Sequence, residues 1–169
     1  MEAPLYERDP EAWNAYLAEG NAKQARKRVG ADVLIRDEQG RILLVDPKYK
    51  PDWDLPGGMA EANEAPTAAA RRELKEELGL DLEIGRLLVV DWVPPHGPWD
   101  DSLMFIFDGG ILGREQIGEM RTVDQELASH RFATQGEMKH LLRPYVLDRA
   151  QSALEALQAG HATYLTHGR

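Results

Sequence analysis

The sequence predicts an α/β fold in which a mixed β-sheet packs between helices. Three observations carry that expectation. Short runs rich in Val, Ile and Leu, bounded by turn residues, read as strands. One long amphipathic helical segment divides the early runs from the later ones, and the last part of the chain reads as helix again. Strands, helix, strands, helices is not the regular alternation of a doubly wound parallel sheet. The length of 169 residues suits one compact domain.

In chain order, residues 1–28 read as an N-terminal helical arm. Trp13, Tyr16 and Leu17 fall at i, i+3, i+4, and the arm ends in Lys23, Arg26, Lys27 and Arg28. Such a helix is expected to lie on the domain or on a second copy. Residues 29–142 form the expected main domain. Val33–Ile35 and Ile42–Val45 are strands separated by the turn residues Asp37-Glu38-Gln39-Gly40. A loop from Asp46 to Gly58 leads to a helix over about Glu64–Leu78, closed by Gly79. Strand-like segments return at Leu82–Val93 and Leu103–Phe107, divided by Pro94-Pro95-His96-Gly97-Pro98. Residues 109–126 read as a variable loop, Leu127–Ala133 as a strand and Gln135–Leu142 as a helix. In the 143–169 segment a last helix opens at Pro144, with Val146, Ala150, Ala153, Leu154 and Leu157 on one face. It is expected to pack on the same domain, and His161–Arg169 to fray.

Charge and composition exclude several classes of function. With 29 acidic against 20 basic residues the net charge is -9, which disfavours nucleic acid or an anionic membrane as the main partner. No cysteine is present, so thiol nucleophiles, thiolate metal sites and disulfides are out. No apolar run approaches the ~20 residues of a membrane span, and Met1-Glu2-Ala3-Pro4 lacks the form of a signal peptide. Cytoplasm is therefore the expected compartment.

The 64–78 helix carries two stripes. Ala70, Leu74 and Leu78, with Thr67 nearby, form an apolar face; Glu73, Glu76 and Glu77 share an adjoining one. Three carboxylates so close repel by a few tenths of a kcal/mol per i,i+4 pair. Arg72 directly precedes the cluster, Glu64 stands near the helix start, and Gly57-Gly58 lies before it. Oxygen donors of this kind suit hard cations such as Mg²⁺ or Mn²⁺ rather than zinc.

The stretch Gly58 to Leu80 resembles the Nudix box of the Nudix hydrolase superfamily. Gly58, Glu64, Arg72, Glu73, Leu74, Glu76, Glu77, Gly79 and Leu80 fill its defined positions, and Trp53-Asp54-Leu55-Pro56-Gly57 resembles the usual lead-in. Seven fixed identities at fixed spacing arise by chance in on the order of 10⁻⁸ of windows.

The resemblance implies a Nudix-type α/β/α sandwich and metal-dependent hydrolysis of a nucleoside diphosphate linked to another moiety. It makes Glu73, Glu76, Glu77 and the Gly57 carbonyl metal ligands, with Mg²⁺ expected and Mn²⁺ as a substitute. It gives Glu76, Arg72 and Glu64 catalytic roles: Glu76 as ligand or water activator, Arg72 orienting the glutamates, Glu64 supporting them.

The box does not fix the catalytic base, for which Glu115, Glu119, Asp124 and Glu126 are further candidates. Trp99, in the proline loop, and Glu126 are the candidate substrate-binding residues. The expected partner is a small nucleotide substrate: a nucleoside triphosphate, ADP-ribose or another nucleotide sugar. Pairing of two copies through the N-terminal arm is also expected. The alternative is a Nudix-fold module that senses such a ligand without turnover, and the complete set of box carboxylates favours the enzyme.

Overall fold

The computed structural model describes residues 3–123 and 125–166. Two helices open the chain, α1 (Leu5–Arg8) and α2 (Pro10–Lys23), followed by β1 (Arg28–Asp37), β2 (Ile42–Pro47) and β3 (Gly57–Met59). Then come α3 (Pro66–Leu78), β4 (Leu87–Val93), β5 (Ser102–Leu112), α4 (Arg114–Glu119) and β6 (Leu127–Ala133). The chain closes with α5 (Gln135–Leu141), α6 (Pro144–Ala159) and β7 (Thr163–Thr166). The strands form one mixed sheet in the order β6-β2-β1-β5-β4-β7, with β3 paired to β1 beside β2.

Strand alternation divides the core into two layers. Ala31, Val33, Ile35, Leu43 and Val45 face Ala69, Ala70, Leu74 and Leu78 of α3. Leu34, Ile42 and Leu44 face the other way, toward Met138 of α5 and Val146, Ala150 and Ala153 of α6. Strands covered on both faces need apolar side chains in both registers, which is why β1 and β2 read as near-continuous hydrophobic runs. The result is the expected α/β/α sandwich.

The β1–β2 turn follows the chemistry of its residues. Asp37 Oδ1 accepts from the backbone N–H of Gln39 and Arg41 at 3.0 and 2.8 Å, and Gly40 takes φ 75°. Gly79, at φ 67°, ends α3 in the left-handed conformation that favours glycine.

Several sequence expectations change. The α3 helix begins at Pro66, a residue suited to the first helical position, and not at Glu64. Thr67 is exposed and Ala69 takes its place on the core face. Only Leu87–Val93 of the 82–93 segment pairs as a strand, whereas the 103–107 strand extends over Ser102–Leu112. The 109–126 stretch is thus the end of β5 followed by α4 and a loop, rather than loop throughout.

Thr163–Thr166 is not frayed. It adds a parallel strand to β4, a pairing no local pattern announces. Residues 167–169 lie outside the described residues, as does Asp124.

In the arm, α2 buries none of its residues. Its aromatic stripe packs on itself, Trp13 stacking on Tyr16 at 5.5 Å and meeting the edge of Tyr6 at 6.2 Å. Arg28 leaves the arm to begin β1.

Candidate active site

The glutamate face of α3 is organised by Arg72, whose guanidinium makes five hydrogen bonds. Nε and Nη2 donate to the two carboxylate oxygens of Glu64, each at 3.0 Å. Nη1 donates to Glu73 at 2.9 Å and Glu76 at 3.0 Å, and Nη2 also to the Met59 carbonyl at 3.1 Å. A planar fork with fixed donor directions can hold three carboxylates apart in this way, where a lysine could not. The contact holds the Glu64 carboxyl down to about 2, with the Glu61 backbone N–H assisting. Burial pushes the Glu73 carboxyl up, opposed by Arg72.

The glycines before the helix bring backbone against these carboxylates. Gly57, at φ 141°, donates its N–H to Glu77 Oε2 at 3.1 Å. A Cβ on Gly58 would stand 2.5 Å from the Glu73 carboxyl carbon, so only glycine leaves that group its place. Glu64 sits ahead of α3 on a turn in which its side chain accepts from the Glu61 N–H at 2.8 Å. Gly57, Glu64, Arg72, Glu73, Glu76 and Glu77 therefore share one locality.

Glu77 also borders a cleft of about 630 Å³. The cleft runs from Gly57 and Gly58 across the β1 and β5 surface to α6 and the turn bearing Trp99. Trp99, 55% exposed, is held by two backbone hydrogen bonds with His96 at 3.0 and 2.9 Å. The Arg28 guanidinium lies 4.8 Å from its ring centroid, fixed in turn by the Asp100 carbonyl at 2.9 and 3.2 Å. Trp92, by contrast, is spent on Asp101, to which its Nε1 donates at 2.8 Å. Glu126 does not line the cleft. Its carbonyl accepts from the Lys48 N–H at 2.8 Å, and its charge acts on Tyr49, which does line it. Glu115 and Glu119 lie on α4.

The cleft wall also includes functional candidates that the sequence reading missed. Asp32 on β1 is 8% exposed, and burial together with the neighbouring Asp54 carboxylate pushes its pKa up to about 8. Arg149 on α6 is buried against Asp91 of β4, Nε to Oδ2 at 2.5 Å, and its guanidinium lies 5.2 Å from the Tyr145 ring centroid. Arg143 donates to Asp52 at 2.6 Å, tying the loop before the glycines to the start of α6, and Lys50 pairs with Asp54. One signal was available: Asp32 interrupts the apolar run around Ala31 and Val33.

The donor set fits a hard divalent cation. Two i,i+4 carboxylates, a third beside them and a glycine backbone against them offer oxygen alone, and Gly58, having no Cβ, lets the Glu73 carboxyl lie against that backbone. Among the described residues no three His, Asp or Glu groups are drawn together as a formed metal cage. Arg72 holds the glutamates spread instead.

A mixed sheet between helix layers, with a glutamate-bearing helix facing a glycine loop, defines the class of domain. Residues 26–153 match the NUDIX domain family, and the chain belongs to that family. A Bacillus subtilis (strain 168) protein provisionally named an 8-oxo-dGTP diphosphatase is 33% identical over 90 residues, 53% of this chain and 58% of that one. Diphosphoinositol polyphosphate phosphohydrolase 2 of Rattus norvegicus is 41% identical over 81 residues, 47% of this chain and 42% of that one. The match thus spans about half the length of these curated relatives. Among solved structures, a UDP-X diphosphatase superposes with a TM-score of 0.68 at 21% identity, covering 91% of this chain and 74% of the other. At that identity the likeness concerns the fold. No helix among the described residues is long and apolar enough to cross a membrane.

Proposed function

We propose that the protein hydrolyses a pyrophosphate bond in a small nucleoside-diphosphate-linked molecule: a nucleoside triphosphate, ADP-ribose or another nucleotide sugar. The observation that carries the reading is the Arg72-centred glutamate array at the edge of a cleft large enough for a mononucleotide. The named relatives, one a diphosphatase and one a phosphohydrolase of diphosphoinositol polyphosphate, act on the same type of bond by their names.

Glu73, Glu76, Glu77 and the Gly57 carbonyl would hold a divalent cation, Mg²⁺ in the first place with Mn²⁺ as substitute. When bound, that ion supplies charge neutralisation and a lowered pKa for water. The protein's own work is positioning. Arg72 would orient Glu73 and Glu76, Glu64 would anchor Arg72, the Gly57 N–H would hold Glu77, and Glu76, the most exposed of the array, would accept a proton from water. Trp99 offers a flat surface to the nucleotide, and Glu126 acts from the rim through its charge. In this reading the enzyme works in the cytoplasm on a dissolved nucleotide, and the exposed aromatic stripe of the 1–28 arm is where two copies would pair.

The test is release of phosphate or nucleoside monophosphate from a panel of small nucleotides, with Mg²⁺ and with chelator. Metal-dependent turnover is expected on at least one member, and 5′-capped or triphosphorylated RNA should be poorer. Tight binding without product would replace the hydrolase by a ligand-sensing module.

A further inference from the structure

The cleft floor is a stripe along β1. Arg28, Gly30 and Asp32 alternate onto the same face of the strand as Leu34, which points toward α6. Their neighbours across the sheet are Ser102, Met104 and Ile106 on β5, and Met59 and Gly57 on β3. A Cβ at Gly30 would lie 2.4 Å from Met104 Cε and 3.3 Å from Met59 Sδ, so the missing side chain is what lets the two thioethers lie over the strand. The floor is therefore soft and apolar in the middle, suited to the face of a flat ring.

At one end stand Arg28 and Trp99. At the other stands Asp32, about 13 Å further along an extended strand. Among the described residues no hydrogen bond or ion pair reaches the Asp32 carboxylate; Lys50 and Arg149 act on it only through their charge, with Asp54 and Glu73 opposing. A carboxyl group 8% exposed and lacking a partner costs stability, since buried polar groups are ordinarily hydrogen-bonded. Its oxygens are not sealed in the core. They open onto the cleft, which Asp32 lines. Nothing in the proposed hydrolysis uses this group.

We propose that Asp32 is a specificity-determining residue that reads a nucleobase, accepting a hydrogen bond from an N–H on the ring edge while the ring lies over Met59 and Met104. The inference rests on the nucleotide reading above and narrows it: the site selects for the base, and not only for the diphosphate. An apolar floor that ends at the unpaired Asp32 carboxyl rewards a flat heterocycle carrying a donor.

Calorimetric titration in chelator tests this without hydrolysis, with AMP and GMP as probes and ribose 5-phosphate as the base-free control. At least one nucleotide should bind about 10-fold more tightly than ribose 5-phosphate, and Asp32→Ala, which removes the acceptor, should lose most of that advantage while leaving ribose 5-phosphate unchanged. Asp32→Ser serves as a second variant, and a cooperative melt confirms that each folds. Mn²⁺ binding, measured separately, should be unaltered in both. Equal affinity of wild type and variants for the nucleotides would overturn the proposal. So would nucleotide binding no tighter than the control, or weakened Mn²⁺ binding, which would move Asp32 into the metal site. Loss of turnover on every nucleotide, with this binding pattern intact, would sink the hydrolase reading and leave the base site standing.

Discussion

On the helix side of the cleft, Arg72 reaches Glu64 eight positions back and Glu73 and Glu76 one and four positions on. On the sheet side, Arg28 meets Asp100 across 72 positions, Arg149 meets Asp91 across 58, and Arg143 meets Asp52 across 91. The first wall is a local device. One helix and the turn before it fix its geometry, so it survives as a pattern in a single stretch of chain. The second exists only once β1, the 94–101 turn and α6 have been assembled around the sheet. On the proposed function, chemistry falls to the first wall and specificity to the second, and changes to each should register in different quantities.

The largest effect is expected on the local wall. Glu73→Gln or Glu77→Gln keeps size but removes a charged donor, and each should lower kcat at least ~10²-fold through lost electrostatic stabilisation. Chelator should abolish turnover of the wild type altogether. Both variants should still melt cooperatively, since neither side chain belongs to the two core clusters. Near wild-type kcat in either would break the division, because the helix would then not be the seat of the chemistry.

Next in size is Arg72. Arg72→Ala leaves Glu64, Glu73 and Glu76 without their common partner, and a misplacement of this kind costs about 10²-fold in kcat. Arg72→Lys keeps the charge but not the fork, and should recover only part of the loss. Full recovery by lysine would show that charge alone matters and that the five-bond geometry is incidental. A melting curve for each variant separates lost organisation from lost fold.

This contrast also explains what the sequence disclosed. The strands β1, β2 and β6, the helix α3, its closing Gly79 and the shared face of Glu73, Glu76 and Glu77 follow from short-range periodicity and spacing, whereas the part of Glu64 and Arg72 in the array came from the resemblance to the Nudix box. Strand β7 was not, because four residues near the chain end become a strand only by pairing with β4. Strand β3 has the same origin: Gly57–Met59 has no strand propensity and is extended because β1 offers it partners. Arg28 looked like the end of a basic run, and its stacking on Trp99 needs the 94–101 turn to fold beside it. Asp32 was missed: it stands just before the expected Val33–Ile35 strand, and its lack of a partner is a property of the assembled cleft. Glu126 shows the same limit: its loop was legible, but that it reaches the cleft through Lys48 and Tyr49 depends on the assembled chain.

On the assembled wall, Trp99→Ala should raise KM about 10-fold, the scale of one base–aromatic stack, and change kcat little. Ground-state binding is removed while the glutamates are untouched. A fall in kcat with KM unchanged would tie the turn to the chemistry and erase the distinction between the walls.

The smallest effect concerns stability against pH in metal-free buffer. The Asp32 carboxyl rises from an ordinary value of 3.8 to about 8 in the folded chain, chiefly through burial and then through Asp54. Below pH 3.8 both folded and unfolded chains hold the proton, so the group does not discriminate between them. Between about 4 and 8 the unfolded chain has released it and the folded chain retains it. The unfolded state then binds fewer protons, and stability must fall as pH rises through this window and level off above it. Asp32→Asn has no proton to exchange, so its melting temperature should gain on the wild type steadily from pH 4 to 8, by several degrees at the upper end. Other titrating groups largely cancel in the difference between the two proteins. A constant difference across that range would mean that Asp32 ionises normally in the fold. The assembled wall would then be wetter than its burial implies, and better suited to a phosphate or a sugar than to a base.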